Sequence, residues 1–477
     1  MTDARQIAMQ RWHDVLAKII PFADVSTEEL PLQRVLRLSL FQFSVGMALV
    51  LITGTLNRVM IVELSVPAWF VALAIALPVI FAPMRALIGF RSDIHQSAFG
   101  VRRIPFIWIG TLLQWGGLAI MPFAMLVLAG DGVGPIIFGQ LGAGLAFVLV
   151  GAGIHTTQTA GLALASDLAA PEHRPRIVAL LFVMLLVGMV VSALAFGLLL
   201  QDFSAVRLIR VVQGAAVVTL VLNVIALVGQ EPRGLAVRVG VSEVRSFRAA
   251  WLELRKQPKV VRLFVATAIG TCGFTMQDIL LEPFGGQIMG LSVGATTGLT
   301  ALLAGGMIVA LALSARRLGR GLDAHRLAAY GALIGVFAFA MVAIVSVVPS
   351  RLVFSSGVVL IGVGGGFFAV GTLIAAMELA KSGNSGLALG AWGAVQATAS
   401  GCAIAAGGAL RDVVSSVAMS GALGEVLVSE ATGYAFVYFL EVILLFVTLA
   451  VIGPLAAFVA KDNGESDSRF GLAEFPS

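Results

Sequence analysis

Twelve apolar runs divide this chain, and they constrain its fold more than any other feature. They lie near 37–62, 66–86, 105–129, 134–165, 177–200, 208–229, 262–289, 293–315, 325–348, 352–379, 386–410 and 433–460. A hydrocarbon core of roughly 30 Å needs about 20 apolar residues in one helix, and every run meets that length. Backbone polar groups in lipid must be satisfied within the segment, so such runs are helices. Composition agrees: 59% of the 477 residues are hydrophobic and 12% charged, about half the charged share of soluble domains. A water-soluble globule of this length could not hide so much apolar surface. The expected fold is all-α: a polytopic membrane protein of twelve transmembrane helices. Pro67, Pro171, Pro232, Pro258 and Pro349 lie just outside the runs, where proline punctuates helices.

Residues 1–34 contain no short apolar run before a small-residue cleavage site, so insertion is expected to begin at the first span. Lys and Arg set the orientation. If the N-terminus, the even-numbered loops and the C-terminus face the cytoplasm, that side holds 26 of the 31 basic residues. The opposite side holds Arg58, Arg207, Arg210, Arg351 and Arg411. Both termini are therefore expected in the cytoplasm. The basic residues sit in short loops, not in a stripe interleaved with aromatics, which argues against a nucleic-acid partner. Cys272 and Cys402, far apart inside apolar runs, make neither a disulfide framework nor a metal knuckle.

The longest loop, 230–261, separates two six-helix halves, 36–229 and 262–460. A cytoplasmic segment, 1–35, precedes them and a polar tail, 461–477, follows. Short echoes relate the halves. Gly151-Ala152-Gly153 leads to Asp167 as Gly362-Val363-Gly364 leads to Glu378, and Leu64-Ser65-Val66 is matched by Leu291-Ser292-Val293. Two six-helix repeats are the architecture of the major facilitator superfamily. Two stretches outside the spans have an apolar helical face beside basic residues: Ile7, Trp12, Val15, Leu16 and Ile19, then Val244, Phe247, Trp251 and Leu254. Both read as helices lying on the membrane surface among lipid headgroups.

Three sets of residues are candidates for function. The loop after the second span holds Gly89, Asp93, Arg102 and Arg103. It resembles the lengthened G-x-x-x-D…G-x-R-R loop of facilitators, a conformational lock in which Asp93 meets a helix end or a basic partner. Ionisable groups at membrane depth are functional candidates by default. Arg58 and Glu63 end the first span, and Asp278 and Glu282 lie one turn apart in the seventh. A pairing of Arg58 with Glu282 or Asp278 would close the outer side; the alternative places all four at headgroup level. His155 is the one histidine in mid-span, flanked by Thr156, Thr157 and Gln158, with Gln114 and Gln140 as further polar groups. Its cluster reads either as an interhelical hydrogen-bond network or as the ligand of a bound group, since neutral imidazole binds metals. No phosphate-binding P-loop or H-E-x-x-H pair occurs, nor a G-x-S-x-G nucleophile elbow. An enzyme is not expected.

Longer strings are more specific. GTLNRVMIVEL (Gly54–Leu64), RSD (Arg91–Asp93), GIHTTQTAG (Gly153–Gly161) and QDILLEP (Gln277–Pro283) resemble the PucC/LhaA family, the bacteriochlorophyll delivery family of photosynthetic bacteria. The likeness runs from about residue 35 to 460. It implies a factor for light-harvesting complex assembly in the bacterial inner, intracytoplasmic photosynthetic membrane. Its cargo would be bacteriochlorophyll a, its clients antenna polypeptides, the core antenna favoured. Carotenoid and the pigment-synthesis machinery are further partners in this picture. A pigment site would then use His155 on the chlorin magnesium, with Gln158 beside it and Gly153 and Gly161 giving close backbone surfaces. An older family label, bacteriochlorophyll synthase subunit, finds no catalytic motif here. The rival is a secondary transporter working by alternating access, in which Asp278 and Glu282 carry protons. Fold alone does not choose.

Overall fold

The computed structural model describes residues 31–81, 88, 92, 101–130, 135–169, 174–231, 258–380 and 385–462. Among these residues all regular structure is helical. The first half comprises α1 (Leu32–Glu63), α2 (Ala68–Ala76, tightening to a 3-10 turn over Leu77–Phe81), α3 (Ile104–Leu128), α4 (Ile136–Leu168), α5 (Arg174–Leu199) and α6 (Ala205–Leu227). In the second half, α7 runs over Pro258–Thr275, through a 3-10 turn at Met276–Ile279, into Leu281–Gln287. It is followed by α8 (Val293–Leu318), α9 (Ala324–Val345), α10 (Arg351–Ala380), α11 (Ser385–Met419) and α12 (Ala431–Asp462). Eleven of these are long and apolar enough to cross a membrane, and the shorter apolar Ala68–Val79 supplies the second element. The twelve runs read in the sequence are these twelve elements. The longer helices overrun their apolar runs: α11 continues to Met419 and α4 to Leu168. A helix does not stop where hydrocarbon does, because its backbone bonds are internal wherever it lies.

Small residues set the packing, as expected where lipid supplies no hydrophobic drive between helices. Within the first half, α3 and α4 approach backbone to backbone. A side-chain carbon on Gly153 would come within 2.6 Å of the Gly110 carbonyl. Between the halves, α5 meets α8 at Gly197 and Gly294, and α2 meets α11 at Ala68 and Gly408. The Leu-Ser-Val echoes fall at the α1–α2 and α7–α8 turns. Ser65 takes a left-handed φ of 52°, while the Ser292 hydroxyl caps α8 by accepting from Ala295 N–H. The amphipathic stretches Ile7–Ile19 and Val244–Leu254 and the polar tail from Asn463 onward lie outside the described residues.

Candidate functional site

The helices that correspond in the two halves, α1 and α7, both leave regular α geometry, and they do so against each other. α1 widens to π-helix at Val50–Thr55 and again at Val59–Glu63. Such bulges gather at functional sites. α7 breaks at Met276–Ile279, freeing backbone groups that must find partners. Those partners come from other helices. The Ile279 carbonyl accepts the Asn57 amide of α1 at 3.0 Å. The Gln277 N–H donates to Glu441 Oε1 of α12 at 2.7 Å, and the Gln277 side-chain amide donates to Asp278. Beyond the break, Glu282 accepts the Thr300 hydroxyl of α8 and packs on Gly54 of α1. Thr55 and Thr297 meet at 3.2 Å.

Arg58 does not pair with Glu282 or Asp278. Its guanidinium is held by Glu63, five residues on in the same helix, and reaches across to donate to the Leu291 carbonyl in the α7–α8 turn at 3.2 Å. The π-bulge explains this. Five residues per closed turn bring Glu63 onto the face of Arg58, where regular spacing favours three and four. Arg58 and Glu282 are buried by protein, 4% and 2% exposed. The junction thus joins the halves, but through backbone carbonyls.

A second tie between the halves was not foreseen. Asp412 of α11 accepts the Trp69 N–H at 2.8 Å, capping the start of α2, and its other oxygen holds Arg411 at 2.7 Å. Arg411 also donates to Gln287 at 2.6 Å and to Tyr434, and stands 4.6 Å over the Tyr434 ring.

His155 lies half-buried on α4. Around it, Gln158 donates to Gln42 of α1 at 3.4 Å and Gln114 of α3 donates to Thr157 at 3.0 Å. The seam continues through Ser44, Asn223 and Thr111, linked at 2.8 Å each. Gln140 does not join it. That residue is fifteen positions earlier on the same helix and lines an apolar groove of about 300 Å³ between α2 and α4, with Leu73, Leu77, Leu141 and Leu145. The glycines expected to make room for a macrocycle are filled by protein. Gly153 is covered by Gln114 and Gly110, Gly161 by the Phe41 ring, and Gly151 by Pro78. Gly153 and Gly161 therefore serve helix packing in this structure, while His155 and Gln158 are half-buried.

In the loop before α3, Arg102 and Arg103 both hold Asp167 at the end of α4, at 2.7 and 3.0 Å, and Arg103 donates to Ser92 at 2.6 Å. Glu231 accepts the N–H groups of Arg102, Arg103 and Ile104, capping α3. Gly89 and Asp93 lie outside the described residues.

Glu441 is the functional candidate that reading the sequence missed. It is fully buried, and the signal was available: it is an acid inside the apolar run 433–460, where any ionisable group is suspect.

The model of the family described as "PUCC protein" matches residues 55–459. A Rhodobacter capsulatus protein described as "Uncharacterized protein in puhA-bchM intergenic region" is 52% identical over 96% of this chain and 97% of its own length. "Protein PucC" of Rhodovulum sulfidophilum is 53% identical over 87% of this chain and 92% of its own. Among solved structures, a bacterial homologue of the iron transporter ferroportin superposes with a TM-score of 0.65 at 15% identity, over 89% of this chain and 99% of that one. That likeness is one of fold, the facilitator arrangement of twelve helices.

Proposed function

The chain belongs to the PUCC protein family, and from that membership we propose that it is a non-enzymatic factor for assembling bacterial light-harvesting complexes. In this reading it binds bacteriochlorophyll and delivers it to antenna polypeptides, the core antenna first among them, in the inner photosynthetic membrane. One observation carries the reading. Two of the strings that liken the chain to the family meet in the fold: Gly54–Glu63 of α1 packs on Gln277–Glu282 of α7, with Asn57 on the Ile279 carbonyl and Gly54 against Glu282; a third carries His155 and Gln158, which reaches Gln42 of α1. His155 would hold the chlorin magnesium through a ring nitrogen, with Gln158 beside it, and the groove between α2 and α4 would take an apolar tail.

The rival, a secondary transporter, draws on a separate observation: Gln277 at the break in α7 bonds both Asp278 and Glu441, and Glu282 is buried further along the same helix. Purification in mild detergent from a pigment-making host separates the two. Bound pigment in the near-infrared spectrum, with antenna polypeptides co-purifying, is the expected result. A colourless preparation without antenna subunits, from a host that assembles antenna normally when the gene is deleted, overturns the proposal.

A further inference from the structure

Four oxygens at the α1–α7 junction have no hydrogen-bond partner: Asn57 Oδ1, Gln277 Oε1, Glu282 Oε2 and Glu441 Oε2. Their side chains are at most 2% exposed. Unsatisfied buried polar atoms are rare in native proteins, and each calls for an explanation. These four are not scattered. Gln277 is bonded to both Glu441 and Asp278, Asn57 holds the carbonyl two residues further on, and Glu282 lies on the same stretch of α7, against α1 and α8.

No Lys, Arg or His among the described residues pairs with Asp278, Glu282 or Glu441. Arg58, the cation within electrostatic reach of Glu282, is already engaged by Glu63 and Leu291. A buried carboxylate with neither counter-charge nor full hydrogen bonding is costly, and a small bound cation offsets that cost. A multivalent metal does not suit it, because among the described residues no three His, Cys, Asp or Glu side chains gather as metal ligands do. Discontinuous membrane helices bind small cations at their breaks. The smallest of these needs only one oxygen.

We propose that the break in α7 is a proton-binding site, with Glu441 and Asp278 as its carboxyls and Gln277 as the bridge between them. The step is protonation alone: one O–H bond forms on a carboxyl oxygen as one O–H bond of a hydronium ion breaks and leaves water, and no electron moves. Protonation turns an acceptor-only group into one that also donates, on the residue that already holds Gln277, whose own Oε1 lacks a donor. Proton occupancy thereby sets how firmly the break is held. The titratable and charged groups around it are Asp278 and Glu282 on α7, Tyr434 and Tyr438 on α12, Arg58 and Glu63 on α1, and Arg411 and Asp412 on α11; the described part of α2 brings none. The site stands whether or not the chain assembles antenna complexes.

The test is infrared titration of the full-length protein in lipid nanodiscs. The carbonyl band of protonated carboxyls is expected to grow as the pH falls. Glu441→Gln and Asp278→Asn should each remove one carboxyl's share of it, leaving that of the other 25 acidic side chains, and exchange of choline for sodium at fixed pH should leave it unchanged. Full retention of the band in both variants, or loss of the Glu441 and Asp278 share on adding sodium, overturns the proposal. Where a variant does not fold, the sodium exchange on the wild-type protein decides: part of the band lost means a metal cation holds the site, and an unchanged band means a proton does.

Discussion

Asp412 shows how much one side chain does at a membrane helix end. Its two oxygens close the first turn of α2 and neutralise Arg411, so Asp412→Ala removes a cap across the two halves. Loss of a capping acid costs about 1–2 kcal/mol, and the thermal midpoint in detergent should fall accordingly, with Asp412→Asn nearer wild type. Thr300 is a harsher case. Among the described residues it is the one donor to Glu282, and Thr300→Val keeps the shape while removing that bond from a buried carboxyl. The expected loss is about 1–3 kcal/mol, measured by the same unfolding assay; an unchanged midpoint would mean that water replaces the hydroxyl. His155 bears on function instead. His155→Phe should lower the pigment that co-purifies, without lowering the thermal midpoint; unchanged pigment content would return the residue to packing.

Helices α3 and α4 illustrate the element scale. Their contact rests on Gly110 and Gly153, where the backbones touch, whereas Gly144 on the same α4 has open space before it. Gly153→Leu should therefore cost at least the roughly 1–3 kcal/mol of an overpacked core, and Gly144→Leu almost nothing. The pair of variants makes the point by difference, and equal stabilities would contradict the packing role. Periodicity and length made both helices legible in the sequence, and with them every span. The interruptions were not legible. Nothing in the string from Val50 to Glu63 announces two π-bulges, because a bulge is stable only when a neighbour, here the broken α7, uses the displaced groups.

Across the whole molecule, Thr55 and Thr297 are the place to ask whether the halves must move. Their hydroxyls meet between α1 and α8, so Thr55→Cys with Thr297→Cys should crosslink on oxidation and hold the halves together. An assembly factor that works as a scaffold should still support antenna formation when locked; loss on oxidation, reversed by reduction, would point to alternating access and the transporter reading. The sequence by itself determined the apolar spans and the family strings. It could do so because the bilayer reads length and apolarity locally, one helix at a time. It also marked Arg58, Glu63, Asp278, Glu282 and His155 as ionisable groups in apolar runs. Only the tertiary structure decided their partners: Glu63 and a backbone carbonyl for Arg58, Thr300 for Glu282, and the unforeseen Glu441 for the break in α7. Partner choice depends on which carbonyls a bend frees and which glycines let a neighbour approach, and both are settled when helices far apart in the chain pack together.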